Sequence, residues 1–145
     1  TDKRIFYIEC LDLFADRTLH LLQAAPPDMP PVEALEHFFK RNFVGLKEIG
    51  VKKNWGCMMV NTVLEMAAVD DALSKHASYH LNKLELGFRD LLEEAGALPQ
   101  QAQELAAMLM VFNEGIRVSN RRRLSDAKYL QPIATTFRLI RSNLA

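Results

Sequence analysis

Apolar residues recur at steps of three and four along almost the whole chain, and this spacing most limits what the chain can fold into. A clear example is the series Leu73, Ala77, Leu81, Leu84 and Phe88. Such steps place side chains along one face of an α-helix, whereas a half-buried strand needs strict alternation. Strand signals are nearly absent, so the sequence predicts an all-α fold.

Breaks rich in proline, glycine or charge divide this pattern into six helices. Four prolines lie between Ala25 and Pro31, and proline lacks the amide donor that a continuing helix needs. Gly96 is a typical C-terminal stop. Pro132 predicts that the last helix is kinked or begins after Ser125. The prediction is a single-domain six-helix bundle over 1–145, with helices at about 2–22, 31–49, 57–69, 70–95, 100–119 and 125–143.

The charge balance argues against a domain that binds nucleic acid by itself. Lys plus Arg and Asp plus Glu both number 18, so the formal net charge is zero, whereas phosphate binding usually needs a basic surplus. The two cysteines have no CxxC spacing, which favours a reducing cytoplasm over a secreted setting. No apolar run approaches the roughly 18 residues of a membrane span, and no signal-peptide layout is visible.

Three segments together carry a family resemblance. Residues Trp55 to Glu65 read WGCMMVNTVLE, a Gly-Cys pair leading an apolar helix with Asn-Thr and then Glu. Gly115 to Val118 read GIRV in the fifth helix, and Thr1 to Phe6 read TDKRIF at the start. In this order and spacing the chain resembles the C-terminal domain of TetR/AcrR-type transcriptional regulators.

The resemblance implies an effector-binding and dimerisation domain whose ligand pocket lies inside the bundle. It also implies that DNA is bound only through an N-terminal three-helix region that this sequence lacks, so we expect a truncated or proteolysed chain or a natural headless protein. Aromatic and methionine side chains suit a pocket for a small hydrophobic or aromatic effector. The candidate ligand-binding residues are Phe14, Phe38, Phe39, Phe43, Trp55, Met58, Asn61, Thr62, Glu65, Met66, Met108 and Phe112.

For any one of these aromatic or methionine residues, plain core packing is the commoner role. Asn61 and Glu65 lie one turn apart on an apolar helix, where unpaired burial costs about 1–3 kcal/mol. They are candidates for effector contacts, but they equally suit hydrogen bonds to a neighbouring helix or a solvated stripe. Thr62 is a weaker candidate.

The last two helices are the predicted dimer interface. Helix six carries apolar residues at steps of 3, 4, 3 and 4, a seam that suits shallow packing against another helix. Helix five has a second face of small and apolar residues, and two such helices from each protomer make an isologous four-helix interface. The predicted interface residues are Ala106, Met110, Gly115, Leu130, Ile133, Phe137 and Ile140.

Other chemical features indicate no catalytic or metal site. His76 and His80 have the i, i+4 spacing that can chelate a metal, but we expect no Cys, Asp or Glu to complete a site nearby. Cys57 is more typical of an inert buried thiol than of a sensor. The run Arg121 to Arg123 is more simply a solvated turn. Phosphate-binding loops and nucleophile motifs are missing, so we expect no enzyme, no cofactor and no metal.

The sequence therefore predicts a cytoplasmic, homodimeric ligand-sensing domain of a TetR-type repressor, in which effector binding releases DNA in the full-length protein. Two alternatives remain open. One is a structural dimerisation or protein-interaction bundle with a closed core. The other is a helical metalloenzyme using His76 and His80.

Overall fold

The chain forms six α-helices in the computed structural model, which describes residues 2–48, 56–122 and 124–144, with side chains up to 42 in the first range. The predicted all-α, six-helix fold is confirmed for these residues. The helices are α1 Lys3–Gln23, α2 Pro31–Glu48, α3 Met58–Met66, α4 Asp71–Glu94, α5 Pro99–Ser119 and α6 Asp126–Leu144, with a 3-10 turn Asn120–Arg122 after α5.

Helix α3 is shorter than the apolar pattern indicated. It ends at Met66, and residues 67–69 form a turn closed by hydrogen bonds from the Val69 and Asp70 amides to the Met66 carbonyl. Apolar residues continue through Val69, which is exposed. Hydropathy alone therefore extended the predicted helix past its hydrogen-bonded end. Pro132 lies within α6, which begins at Asp126.

Capping side chains define where two of the helices begin. The Asp2 side chain accepts a hydrogen bond from the Arg4 amide, 2.9 Å away, at the start of α1. Asp70 does the same for the Leu73 amide at the start of α4, at 3.0 Å. Arg4 also binds the Asp70 carboxylate through two nitrogens at 3.1 Å each, and these hydrogen bonds lower the pKa of Asp70. The N-terminal ends of α1 and α4 are therefore joined.

Helix α4 is the central element, since it packs against α1, α2, α3 and α5. Helix α6 lies on α2. Hydrogen bonds near its two ends show that α6 runs antiparallel to α5. The Tyr129 hydroxyl donates to the Ser119 carbonyl at 2.7 Å, and the Gln101 amide donates to the Asn143 carbonyl at 3.0 Å. Among the residues that the structure describes, no helix is both long and apolar enough to cross a membrane.

Five phenylalanines from four helices form the middle of the core. The Phe39 ring lies 5.4 to 5.9 Å, centroid to centroid, from the rings of Phe38, Phe88, Phe112 and Phe137. These are separations at which aromatic pairs attract one another, edge to face with Phe38 and Phe137 and stacked with Phe112. The cluster joins α2, α4, α5 and α6.

Candidate functional site

A half-open pocket of about 280 Å³ lies between α1 and the start of α3. Its walls combine apolar surfaces with a few polar groups, which is the usual make-up of a small-molecule site. The lining residues are Tyr7, Phe14, Gly56, Met58, Asn61 and Glu65.

A hydrogen-bond chain links the two helices at this pocket. Thr62 is fully buried, and its hydroxyl donates to the Met58 carbonyl at 2.7 Å. Since that bond uses its only proton, the Tyr7 hydroxyl is the donor in its 2.6 Å hydrogen bond with Thr62 Oγ1. Tyr7 is therefore held in place on α1 by a residue of α3.

Gly56 brings the backbone before α3 close to α5. Its φ of +79° lies in a region that L residues rarely adopt, and a Cβ there would stand 3.3 Å from the Arg117 carbonyl oxygen. The Arg117 side chain is buried at this junction. Burial lowers the pKa of Arg117 from its usual value.

Four of the predicted ligand residues line this pocket: Phe14, Met58, Asn61 and Glu65. Thr62 lies behind the wall and positions Tyr7 instead of facing a ligand. Met66 is half-buried and packs against the core. The structure thus brings Met58, Asn61 and Glu65 together on the α3 side of the pocket, and their contact with a ligand stays a prediction.

Four of the other predicted ligand residues, Phe38, Phe39, Phe112 and Met108, lie outside the pocket. Phe38, Phe39 and Phe112 pack within the aromatic cluster, so their side chains fill the core. Met108 is 47% exposed on the surface of α5. Phe43 and Trp55 lie outside the described side chains.

Sequence reasoning missed Tyr7, although a signal was available. Tyr7 and Phe14 are seven residues apart, which is nearly two full helical turns, so they share one face of α1. Gly56 was noticed only as part of a family motif. Its place in the pocket follows from its contact with α5.

Most of the predicted dimer-interface residues lie inside the protomer. Ala106, Met110, Ile133, Phe137 and Ile140 are all buried by the chain's own helices, and only Gly115 and Leu130 reach the surface. The physical reason is that the apolar seam of α6 packs on α2 and that α5 packs on α4, all within the same chain. These five side chains are therefore not available to a partner protomer.

A different apolar stripe is exposed on α5. Met108, Val111 and Val118 have 47%, 70% and 49% of their surface exposed, and Gly115 lies between the last two. Their spacing of 3, 4 and 3 residues places them along one face of the helix. Leu139 on neighbouring α6 is also exposed.

A second polar cluster joins α1 to α4. The Nε2 atoms of His76 and His80 lie 2.5 Å and 2.7 Å from the same oxygen, Oδ1 of Asp12. The hydrogen bond from His80, together with that from His76, holds the pKa of Asp12 below its usual value against the opposing effect of burial. The sequence prediction that no carboxylate completes the histidine pair is therefore wrong, because Asp12 comes from a distant helix.

Comparison with known protein families identifies the class of protein to which this helical domain belongs. A family model described as "Transcriptional regulator LmrA/YxaF-like, C-terminal domain" matches residues 31–135. The chain therefore belongs to the TetR-type regulators, as a C-terminal domain of the LmrA/YxaF-like kind. No curated protein and no solved structure gave a significant match.

Domains of this family typically dimerise and bind small-molecule effectors, and they are generally not enzymes. The predicted family resemblance is thus confirmed.

Proposed function

We propose that this chain is the effector-sensing and dimerisation domain of a cytoplasmic TetR-type repressor, and that it binds a small aromatic or hydrophobic effector between α1 and α3. The observation that supports this most directly is the pocket itself, with Phe14 and Met58 beside Asn61 and Glu65. Apolar side chains combined with a few polar groups in a concave surface are what a small-molecule site requires.

The size and chemistry of the pocket limit which effectors could bind in it. Its volume of about 280 Å³ is near the lower end of the range for ligand sites, about 300–1,000 Å³. Met58 provides an adaptable surface and Phe14 a flat one for an aromatic ring. Glu65 offers a hydrogen-bond acceptor. The proposed effector is therefore a compact aromatic molecule that carries at least one hydrogen-bond donor.

Helix α1 is the element through which binding would be communicated. Its N-terminal part is joined to α3 by the Tyr7–Thr62 hydrogen bond and to α4 by the Arg4–Asp70 ion pair. An effector that separates α1 from α3 changes the position of this part of α1. In a regulator whose DNA-binding region precedes α1, that displacement would alter the spacing of the two DNA-reading regions and release the operator.

The closed-core alternative also has support. The five-phenylalanine cluster fills the middle of the bundle with side chains that the family resemblance had suggested for a pocket. In that alternative the domain dimerises without binding an effector, and the surface pocket has no ligand.

Methionine-methyl NMR during a screen of small aromatic compounds distinguishes the two functions. A bound effector should shift the methyl resonance of Met58 in the pocket, while Met29, in the connection between α1 and α2, serves as an internal control. Glu65→Gln should weaken binding at least about tenfold, the loss expected from one charge-assisted hydrogen bond.

Glu94→Gln, an exposed change at the far end of α4, should leave the affinity unaltered. A compound that binds without shifting Met58, or that binds the Glu65 variant equally well, would place the effector elsewhere. A panel without any binder would favour the closed-core alternative.

A further inference from the structure

Asp12, His76 and His80 form a compact donor set apart from the effector pocket. One ligand atom from each residue can be chosen so that all three lie within 4.8 Å of one another. None of the three lines the pocket between α1 and α3. The cluster therefore needs an explanation of its own.

The chemistry of the three side chains suits one class of ligand. Two histidines at i, i+4 on a helix present their imidazoles to the same side, and a carboxylate from another helix completes three protein donors. Imidazole nitrogen combined with carboxylate oxygen favours zinc and neighbouring divalent transition metals over calcium or magnesium, which prefer oxygen donors.

The geometry requires only a small adjustment for a metal ion. Ligand bonds of about 2.1 Å in a tetrahedral site separate neighbouring donor atoms by about 3.4 Å. The two Nε2–Oδ1 distances are now 2.5 Å and 2.7 Å, as expected for hydrogen bonds. Binding a metal therefore requires a displacement of less than about 1 Å. The Asp12 side chain is 42% exposed, so it can make this movement without disturbing the core. His76, at 36%, leaves the site open to water as a fourth ligand.

The surroundings of His80 bear on how tightly a metal would be held. Its Nδ1 is buried without a hydrogen-bond partner among the described residues. When Nε2 binds a metal, Nδ1 carries the ring proton and normally donates it to a second group, whose loss costs about 10–100-fold in affinity. We therefore expect binding weaker by about that factor than in a zinc site with a complete outer shell.

We propose that Asp12, His76 and His80 bind a divalent transition-metal ion of the zinc type and that the ion joins α1 to α4. This site goes beyond the proposed effector function and stands independently of it. A metal there would hold α1 against α4 a short distance along the helix from Phe14.

The experiment uses the whole chain with any affinity tag removed, stripped of metal and then titrated with zinc alone. The expected result is one equivalent of zinc per chain, accompanied by a rise in melting temperature that grows with free zinc. Asp12→Asn and His76→Gln should each lower the affinity at least about tenfold, because losing a direct ligand costs no less than losing an outer-shell partner. Circular dichroism checks that both variants fold.

Asp16→Asn on the exposed part of α1 and His37→Gln on α2 are matched controls, which should bind zinc as the unaltered chain does. Titration with cobalt gives a second readout, since nitrogen and oxygen ligands produce visible bands without the strong near-ultraviolet charge transfer of a thiolate. The proposal is overturned by absence of binding at micromolar zinc, by equal affinity in the Asp12 variant, or by a thiolate band that places the metal on a cysteine.

Discussion

Gly56 occupies a backbone conformation that few other residues tolerate, and it does so beside the pocket. Its positive φ of +79° turns the chain into α3, and the hydrogen-only side chain lets the Arg117 carbonyl approach. Gly96 also has a positive φ, +97°, at the end of α4, but no atom lies within 4 Å of where its Cβ would stand. A substitution at Gly96 therefore meets backbone strain alone, whereas a substitution at Gly56 meets both backbone strain and steric crowding.

We expect Gly56→Ala to destabilise the domain by about 1–3 kcal/mol, the usual cost of a non-glycine residue in this backbone region. Because of crowding against the Arg117 carbonyl, Gly56→Ala should lose more unfolding free energy than the matched change Gly96→Ala. Urea unfolding of both variants measures the difference in the free energy of unfolding. Equal losses at the two sites would show that the contact with α5 is unimportant.

At the level of helices, α6 is held to α2 by an apolar seam and an ion pair. Glu36 on α2 accepts hydrogen bonds from Arg141 of α6 at 2.5 Å and from Lys40 at 3.2 Å. Burial by itself raises the pKa of Glu36, but the hydrogen bonds from Arg141 and Lys40 outweigh it, so the pKa lies below its usual value. The carboxylate form is thus the one that the folded state favours.

The stabilisation from Glu36 should depend on pH. Because its folded-state pKa is lowered, the stabilisation is fully present above the unfolded-state pKa and is lost as the pH falls through the folded-state value. Glu36→Gln should cost about 1 kcal/mol or less at neutral pH. The difference in unfolding free energy between the unaltered chain and this variant should decrease when the pH is lowered from about 6 to 3.

Denaturant titrations at several pH values test this, with Glu33→Gln, an exposed change on α2, as the control. If the loss of unfolding free energy in the Glu36 variant stayed constant down to acidic pH, the role of the ionised pair would be contradicted.

For the whole molecule, the exposed apolar stripe of α5 is the surface that we propose for dimerisation. Met108, Val111 and Val118 lie on it, and Gly115 lets a second helix approach closely. The stripe replaces the buried residues that sequence reasoning had selected. It uses the same two C-terminal helices, with Leu139 of α6 at its side.

Val111→Glu should raise the dimer dissociation constant at least about tenfold, because a charge buried without a partner at an interface costs more than 1.4 kcal/mol. Light scattering over a concentration series measures this. Val69→Glu is the matched control, since Val69 is equally apolar and 79% exposed but lies in the turn before α4. A chain that is monomeric without substitution, or a Val111 variant that dimerises normally, would refute the proposed surface.

Helical periodicity determined much about this protein from the sequence by itself. It predicted six helices and an all-α fold, and the order of motifs around Gly56, Asn61 and Glu65 identified the regulator family. That resemblance, combined with residue chemistry, also selected four of the residues that line the pocket. The helices themselves could be predicted because their pattern depends only on neighbours three or four positions apart.

Only the tertiary structure decided which faces meet. Asp12 lies 64 and 68 positions from its two histidine partners, so no local pattern joins them. The seam of α6 was recognised, but its partner is α2 of the same protomer and not a second chain. Phe39 was selected as pocket lining, yet it packs among four other rings. An apolar stripe indicates that a helix face is covered, and packing across the whole bundle determines what covers it.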